Sequence, residues 1–288
     1  MENIAYYNGK ISSIEEMMIP MNERSSWFGD GVYDAMFTVD HIPLSLDDHL
    51  QRFYRSAKAI DIEVPMPFEE LRALVLDFCR KVDSPDAMAY VQATRGVGMR
   101  GHAYRFAGDT PSLWVFVKPD FLDPMDREYR CITLEDTRYQ YCHIKTINLL
   151  PAVLYTEKAE AQGCDEAILH RGDRVTECAH SNVHILKNGV FQTAPCDNLI
   201  LPGITRAHRI RQAKEMGIPV VEEPFTIQEM MEADEIFFTS ASALCCRIRE
   251  IDGQRVGGRD PETIKKLQEA AWQEALEEVK KEQEVTHA

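Results

Sequence analysis

The sequence of 288 residues predicts a mixed α/β protein built from two domains. Strand-like and helix-like patterns alternate along both halves of the chain. Between the halves, the stretch KPDFLDPMD (residues 118–126) contains two prolines and three aspartates, which is typical of a linker. We therefore expect a smaller N-terminal α/β domain at 1–120 and a larger C-terminal domain at 121–288.

The N-terminal elements follow from local patterns. YYNGKISSIEEMMIP predicts two strands joined by a turn at Asn8-Gly9. SLDDHLQRFYRSAKAI has helical spacing, and Ser45 with Asp48 predicts a capping box at its start. A second helix is expected near 68–81, followed by strands at AMAYVQATR and SLWVFVKP.

The C-terminal half begins with a predicted strand at YRCITLED and a helix that starts at Pro151 and stops at Gly163. Turn residues predict hairpins at Gly172-Asp173 and Asn188-Gly189. The remaining expectations are a helix after LPGIT, a helix with a capping box of Thr226 and Glu229, a buried strand at DEIFFTS and a solvated helix from Asp260.

Composition excludes several classes of function. The net charge of −15 argues against binding nucleic acid or anionic membranes, which require basic surfaces. No apolar run reaches a membrane span, and MENIAYYNGK lacks the pattern of a signal peptide, so we expect a cytoplasmic protein. The eight cysteines form no C-x-x-C pair and are expected to be free thiols. Cys178, His180 and His184 match no familiar zinc spacing, so no metal is expected.

A glycine motif at 96–101, GVGMRG, matches the dinucleotide-binding pattern G-x-G-x-x-G. That site requires a helix directly after the motif, whereas HAYRFAGDTP follows here and contains a proline. We therefore interpret the segment as a loop that presents Arg100 and His102. Either these two polar side chains simply lie in solvent, or they bind a carboxylate, which arginine can contact with two parallel hydrogen bonds.

The stretch CHIKTINLLPAVL places Lys145 among apolar residues. The non-functional interpretation is that the aliphatic stem of Lys145 packs against these residues while its amine reaches water. The alternative is functional, because apolar surroundings favour the neutral amine, which is a nucleophile that forms a Schiff base with a carbonyl.

Other segments offer groups for an anionic cofactor. LPGITR places Ile204 and Thr205 at a helix start, where unpaired amides favour a phosphate. TSAS, which contains Ser240 and Ala241, could form another wall of that site. Arg52 on the first long helix could bind phosphate or lie in solvent, and Glu177 could hold a pyridine nitrogen protonated or simply end a strand. Lysine, carboxylate and phosphate cup are the parts that a pyridoxal phosphate enzyme requires.

Taken in order, FGDGVYD, IKTINLLPAVL, GCDEAILHR, VTE, SNV and LPGITR identify the resemblance. The chain resembles the fold type IV pyridoxal phosphate enzymes, most closely the D-amino-acid aminotransferases, over nearly its whole length. The resemblance implies a small α/β domain and a larger β-barrel-like domain with helices. It also implies the cofactor pyridoxal 5'-phosphate, a homodimer, and amino acids and 2-oxo acids as substrates.

The resemblance implies specific roles. Lys145 is the cofactor lysine and moves the proton, and Glu177 pairs with the pyridinium nitrogen. The carboxylate of the substrate is expected to contact Tyr33, Arg100 and His102, the last two from the neighbouring subunit. The remaining expected cofactor contacts are Arg52, Leu201, Ile204, Thr205, Ser240 and Ala241.

The chain also departs from the family pattern. Ala179 and His180 replace a serine-rich run, Ala241 replaces a phosphate-binding threonine, and Cys245-Cys246-Arg247 leaves the side-chain preference of the substrate open. The expected reaction transfers the amino group of a D-amino acid, such as D-alanine or D-glutamate, to 2-oxoglutarate. The alternatives are a branched-chain L-amino-acid aminotransferase, an aminodeoxychorismate lyase, and a non-catalytic binding protein that kept the fold.

Overall fold

The computed structural model describes the backbone of residues 1–287 and the side chains of residues 1–284. The chain forms two compact units. Unit 1 comprises 1–121, 144–148 and the chain from Ala275 onward, and unit 2 comprises 122–143 and 149–274. The mixed α/β class predicted from the sequence is confirmed.

Unit 1 is built on a six-stranded sheet with the strand order β2-β1-β6-β5-β3-β4. Its strands are β1 (Ile4–Tyr7), β2 (Lys10–Ser12), β3 (Gly31–Val39), β4 (Ile42–Pro43), β5 (Ala87–Thr94) and β6 (Ser112–Pro119). Its helices are α1 (Arg24–Phe28), α2 (Leu46–Ala59), α3 (Phe68–Lys81) and a short 3-10 helix (Tyr104–Phe106). Along β3, Val32 and Met36 face the core with α2 and α3, while Tyr33 points to the opposite face because side chains alternate along a strand.

Local turn chemistry explains the first hairpin. Asn8 and Gly9 both adopt positive φ, at 47° and 92°, which a tight hairpin turn requires at both positions. The predicted helix at 68–81 coincides with α3. The predicted capping box of α2 is wrong, because the side chain of Ser45 caps no amide and Ser45 itself has a φ of 51°. Instead, its backbone N–H donates to the carboxylate of Glu278 at 2.5 Å, 233 residues away in sequence.

Unit 2 is built on a nine-stranded sheet with the order β12-β11-β10-β13-β14-β7-β8-β9, and β15 pairs with β14. Its strands are β7 (Glu128–Glu135), β8 (Glu166–Arg171), β9 (Arg174–Cys178), β10 (Asn182–Lys187), β11 (Val190–Thr193), β12 (Val220–Glu222), β13 (Glu235–Thr239), β14 (Cys246–Ile251) and β15 (Gln254–Arg255). Only residues 179–181 connect the edge strand β9 to β10, although four other strands lie between these two in the order of the sheet. The sheet must therefore curl, as the predicted barrel-like domain requires.

The helices of unit 2 are α4 (Leu150–Glu160), α5 (Ile204–Glu215) and α6 (Ile227–Met231), and α7 (Pro261–His287) has residues in both units. The capping box of Thr226 and Glu229 at α6 is confirmed, with both reciprocal hydrogen bonds present. After α4 and α5, Gly163 and Gly217 adopt positive φ, which ends each helix.

The eight cysteines are free thiols, as expected. Within the described residues, no helix combines the length and apolar character needed to cross a bilayer. The glycine motif at 96–101 leads into a loop and the three-residue 3-10 helix rather than into an α-helix, so the structural context of a dinucleotide site is missing there.

Candidate active site

Lys145 lies in a short irregular segment that forms an isolated bridge with β3. The N–H of Tyr33 donates to the carbonyl of Lys145 at 2.9 Å, and the N–H of Ile147 donates to Gly31 at 3.1 Å. Gly31 is required there, because a Cβ would approach the carbonyl oxygen of Ala93 to 2.7 Å. Pairing with a central strand of unit 1 fixes the direction in which the lysine side chain leaves the backbone.

The amine of Lys145 lies against Tyr33. Its Nζ donates to the Tyr33 hydroxyl at 3.3 Å and lies 4.4 Å from the centroid of the same ring. That ring stacks on Tyr90 with a centroid distance of 5.5 Å, and Tyr90 stacks on Phe116 at 4.7 Å. Lys145 is thus half-buried, with its amine on an aromatic surface, and the sequence had predicted an apolar setting without identifying these rings.

Arg52 is buried rather than solvent-exposed. Its Nε and Nη2 donate to both oxygens of the Asp34 carboxylate at 2.8 and 2.7 Å, and His49 contacts the same carboxylate at 2.8 Å. Burial alone would raise the pKa of Asp34, but the charge of Arg52 and the contact with His49 outweigh it and hold that pKa well below its usual range. Sequence reasoning missed Asp34 and His49, although Asp34 ends the FGDGVYD motif.

Arg100 and His102 lie in the loop of residues 96–107, and both side chains are exposed. Each contacts the ring of Phe28: the Arg100 guanidinium carbon lies 5.6 Å from the ring centroid and the His102 ring 5.2 Å from it. Among the contacts recorded for residues 1–284, none joins Arg100 or His102 to Tyr33 of the same chain. The structure therefore brings Tyr33 to Lys145, and brings Arg100 to His102 at a shared ring.

Glu177 is a buried carboxylate of unit 2 that is held by several hydrogen bonds. It lies on β9, is 5% exposed, and accepts three hydrogen bonds. Arg138 Nη1 donates at 2.5 Å, Asn182 Nδ2 at 2.9 Å and the Leu201 N–H at 3.1 Å. Burial raises the pKa of Glu177, and the charge of Arg138 opposes that rise.

Arg138 was missed by the sequence analysis. Although burial opposes its charge, the hydrogen bond to Asp136 and the charge of Glu177 raise its pKa, so it remains a cation. It binds Asp136 through Nε and Nη2, each at 2.9 Å, as well as Glu177. Because 39 residues separate Arg138 from Glu177, no local pattern connects them.

Helix α5 begins within LPGITR, at Ile204. The N-cap of α5, Gly203, offers no side-chain cap. A Cβ at Gly203 would come within 2.0 Å of Asn182 Oδ1, so the close approach requires glycine. Thr205 Oγ1 donates to the carbonyl of Ser240 at 2.7 Å, which fixes the end of β13 beside the helix start.

The turn after β13 contains Ser240 and Ala241. The Ser240 N–H donates to Ala243 at 2.8 Å, and the Ala243 N–H donates back to Ser240 Oγ at 3.0 Å. The Ser240 hydroxyl also contacts that of Ser242 at 3.1 Å. The contacts within the turn fix its shape and leave Ala241 to contribute only its backbone.

Residues at or near the positions that depart from the family pattern make local contacts. Arg247 and Arg249 on β14 both approach Glu235, at 3.6 and 3.0 Å, so Arg247 belongs to a buried ion-pair group. His180 is 54% exposed in its side chain and contacts the buried Glu166 at 3.2 Å. His184 is fully buried and contacts the hydroxyls of Thr193 and Thr239 through its two ring nitrogens.

A model of the amino-transferase class IV family matches residues 31–251 of the chain. The chain belongs to this family. The class IV aminotransferase is 38% identical over 266 residues to a D-alanine aminotransferase of Listeria monocytogenes serotype 4b, which covers 90% of this chain and 91% of the relative. It is 37% identical over 258 residues to a D-alanine aminotransferase of Staphylococcus epidermidis, covering 87% and 90%.

Solved structures confirm the predicted fold. The class IV aminotransferase matches a branched-chain aminotransferase of Thermoproteus uzoniensis with a TM-score of 0.85 and 27% identity, over 94% of each chain. It matches a fold IV transaminase of Curtobacterium pusillum with a TM-score of 0.78 and 22% identity, over 90% of this chain and 92% of the other. The second similarity concerns the fold alone.

Proposed function

We propose that this aminotransferase uses pyridoxal 5'-phosphate to transfer the amino group of a D-amino acid, such as D-alanine, to a 2-oxo acid such as 2-oxoglutarate. The curated relatives named D-alanine aminotransferase, 34–39% identical over most of the chain, support the substrate class. The observation that carries the cofactor assignment is Glu177, a buried carboxylate held by three donors, which suits it to face a cation.

The groups of both units fit pyridoxal phosphate chemically. Unit 1 offers a primary amine at Lys145 and a buried guanidinium at Arg52. Unit 2 offers the Glu177 carboxylate and, for a phosphate, the amides of Ile204 and Thr205 at a helix start without a side-chain cap. The backbone of Ser240 and Ala241 and the side chain of Leu201 complete the proposed set.

When bound, pyridoxal phosphate supplies the carbonyl that takes up the amino group and the ring that accepts electron density from the substrate. Lys145 Nζ takes the proton from the substrate Cα and later returns one, because a positioned amine can act as both base and acid. The Tyr33 hydroxyl orients that amine. Glu177 would stabilise a positive charge on the pyridine nitrogen, and the charge of Arg138 favours the ionised form of Glu177.

The proposed hand of the substrate follows from geometry. Proton transfer requires the Cα–H of the substrate to point at Lys145. The carbonyl group of the cofactor would fix the position of the amino nitrogen. The carboxylate and the side chain are left, and exchanging their places inverts the preferred enantiomer. Whichever groups bind the carboxylate therefore select the hand, and we assign that role to Tyr33 with Arg100 and His102.

A panel of D- and L-amino acids with 2-oxoglutarate, scored for oxo-acid formation, tests the proposal. We expect D-alanine or D-glutamate to give the highest kcat/KM. The second candidate is a branched-chain L-amino-acid aminotransferase, which the similarity to the Thermoproteus uzoniensis enzyme favours. Faster turnover of L-leucine or L-valine than of any D-amino acid would establish that candidate instead.

We also propose that the protein is a homodimer in which Arg100 and His102 serve the site of the other protomer. The start of α4 supports an interface, since Leu150, Val153 and Leu154 are 69%, 60% and 52% exposed on one helix face. A contiguous exposed apolar patch of this kind typically marks an association surface.

Light scattering at assay concentration should give the mass of two chains, and Leu150→Asp should weaken that association. Lys145→Ala protomers should be nearly inactive alone, and Arg100→Ala protomers should have a kcat/KM lowered roughly ten- to a hundredfold or more. After subunit exchange, the mixture should regain activity, because a hybrid dimer contains one intact site. An active monomer would contradict the dimer, and absence of recovery after demonstrated exchange would contradict the shared site.

A further inference from the structure

The loop of residues 96–107, which we name the clamp loop, carries Arg100 and His102 on irregular backbone. Both side chains are exposed, yet both contact the ring of Phe28, Arg100 at 5.6 Å and His102 at 5.2 Å. We propose that Phe28 and Arg24 are positioning residues that hold this pair ready for the substrate carboxylate. The inference rests on the carboxylate role proposed above and assigns the residues that make it effective.

Arg24 holds the backbone of the same pair. It is buried on α1, the helix that also carries Phe28. Its Nη1 donates to the carbonyl of Gly101 at 2.7 Å and its Nη2 to that of His102 at 3.4 Å. Its guanidinium carbon lies 4.8 Å from the centroid of the Phe28 ring. Arg24 and Phe28, one helical turn apart on α1, thus hold the main chain and the side chains of Arg100 and His102.

Asp30 and Arg95 hold Arg24 and the clamp loop in place. Asp30 accepts from Arg24 Nε at 2.8 Å and from Arg95 Nε at 3.1 Å, and Arg95 lies 3.7 Å above the ring of Tyr104. The Arg24 N–H also donates to the carbonyl of Gly96 at 3.1 Å. The clamp loop is therefore bonded directly to α1 at its beginning and its centre, and is linked to it near its end through Arg95 and Asp30.

The end of α1 is fixed against the segment that contains Lys145. Gly29 adopts a φ of 60°, and Asn148 Nδ2 donates to its carbonyl at 2.9 Å. A Cβ at Gly29 would approach Asn148 Oδ1 to 2.6 Å, so this junction requires glycine. The ring of Phe28 consequently has a defined position relative to the core of unit 1.

This arrangement has an energetic consequence for binding. A long, exposed side chain on a loop loses rotamer freedom when it binds a ligand, and that ordering weakens the affinity. Contact with the Phe28 ring orders Arg100 and His102 beforehand. Removing the ring should therefore weaken binding of the amino acid and leave proton transfer by Lys145 intact.

The test uses the holoenzyme and the amino acid that the panel shows to be the best substrate. Phe28→Leu should raise its KM about five- to twentyfold, from the loss of the cation–π contact with Arg100 and the ring contact with His102, with kcat changed less than about twofold. Phe28→Tyr should retain the wild-type KM because it keeps a ring. Phe68→Leu is the matched control, since it removes a ring from the start of α3 in the same unit without touching the clamp loop.

A double-mutant cycle separates positioning from general damage. In the background Arg100→Ala with His102→Ala, adding Phe28→Leu should leave KM unchanged, because nothing remains to be positioned. A further rise of the same size in that background would overturn the positioning role while leaving the carboxylate role intact. If Arg100→Ala with His102→Ala does not raise KM at all, the carboxylate role itself fails and the positioning role fails with it.

Limited trypsin digestion gives a readout that does not depend on activity. The clamp loop offers cleavage sites after Arg100 and Arg105. Phe28→Leu and Arg24→Gln should accelerate cleavage there by severalfold relative to wild type and Phe68→Leu, at a temperature well below the thermal midpoint of every variant. Unchanged cleavage in both variants would show that the loop is ordered without them and would overturn the proposal.

Discussion

The lysine in unit 1 and the glutamate in unit 2 are held in opposite ways. Lys145 Nζ has one hydrogen bond, of 3.3 Å, to a tyrosine hydroxyl, and the lysine is only half-buried. Glu177 accepts from a guanidinium, an amide side chain and a backbone N–H, and is 5% exposed. In both cases backbone hydrogen bonds to a neighbouring strand hold the main chain, so the difference lies in the side chains.

The contrast matches the two proposed tasks. An amine that accepts and returns a proton has to change partners and move, so strong fixed hydrogen bonds would oppose it. A carboxylate that stabilises charge works best when its orientation does not change during the reaction. We therefore expect substitutions on the lysine side to affect chemistry more than folding, and those around the glutamate to affect both.

The largest expected effect is at the lysine. Lys145→Ala should lower kcat about 10²- to 10⁴-fold, because it removes the group that moves the proton. The thermal midpoint should change little, since the amine makes one long hydrogen bond. Oxo-acid formation and thermal unfolding measure the two effects, with Lys158→Ala as the control. Borohydride reduction followed by peptide mapping should place the cofactor on Lys145, and a label on another lysine would refute the assignment.

The next effect is expected at the glutamate. Glu177→Gln should lower kcat about 10- to 100-fold, since a hydrogen bond to a charged group contributes about 1.5–3 kcal/mol. The protein should still fold, because Arg138 retains both of its contacts with Asp136. Steady-state kinetics and circular dichroism check these expectations. A wild-type kcat in Glu177→Gln would remove the role of Glu177.

A smaller effect is expected on the free energy of unfolding, which should differ between the partners of Glu177 and of Lys145. Asn182→Ala removes hydrogen bonds to Glu177 and to the carbonyl of Leu201, at 2.9 and 3.1 Å, and should lower the free energy of unfolding by about 1–3 kcal/mol. Tyr33→Phe, which removes the partner of Lys145, should lower it by less than about 0.5 kcal/mol. Urea unfolding of both variants measures the two free energies of unfolding. Equal losses would show that the two sides are held alike.

The smallest effect concerns pH. Burial lowers the pKa of His184 well below its ordinary value of 6.5, so the unfolded chain binds a proton there that the folded protein excludes. The stabilising contribution of His184 is therefore complete above pH 6.5 and is lost as the pH falls below it. His184→Gln should flatten the dependence of unfolding free energy on pH below 6.5 by up to about 1.4 kcal/mol per pH unit. The exposed His180→Gln is the control, and the same slope in His184→Gln and wild type would exclude this contribution.

Features determined by neighbouring residues could be predicted from the sequence. The Asn8-Gly9 turn, the Thr226 and Glu229 capping box and the bounds of α3 depend on residues within a few positions of one another. The capping box at Ser45 follows the same local rule, yet it is absent. A glutamate 233 residues away binds the Ser45 backbone instead, and no local pattern reveals such a competitor.

The candidate site shows the same limit. Lys145 and Glu177 could be assigned because their surrounding motifs resemble a family, and their roles stay predictions here. Their immediate partners could not be assigned. Arg138 lies 39 residues from Glu177, and Tyr33 lies 112 residues from Lys145. Long-range pairing of strands creates these contacts, and the sequence contains no periodic signal for them.

The glutamate that binds Ser45 also sets the order in which the chain can fold during synthesis. Helix α2 leaves the ribosome early, but Glu278, on α7, is added 233 residues later. At translation rates of about 5–20 residues per second, the start of α2 waits roughly 10 to 50 seconds for that partner. The segment 144–148 that pairs with β3 also arrives late. Unit 1 therefore begins the chain but is completed after unit 2, so a nascent chain halted before α7 exposes an unfinished first unit.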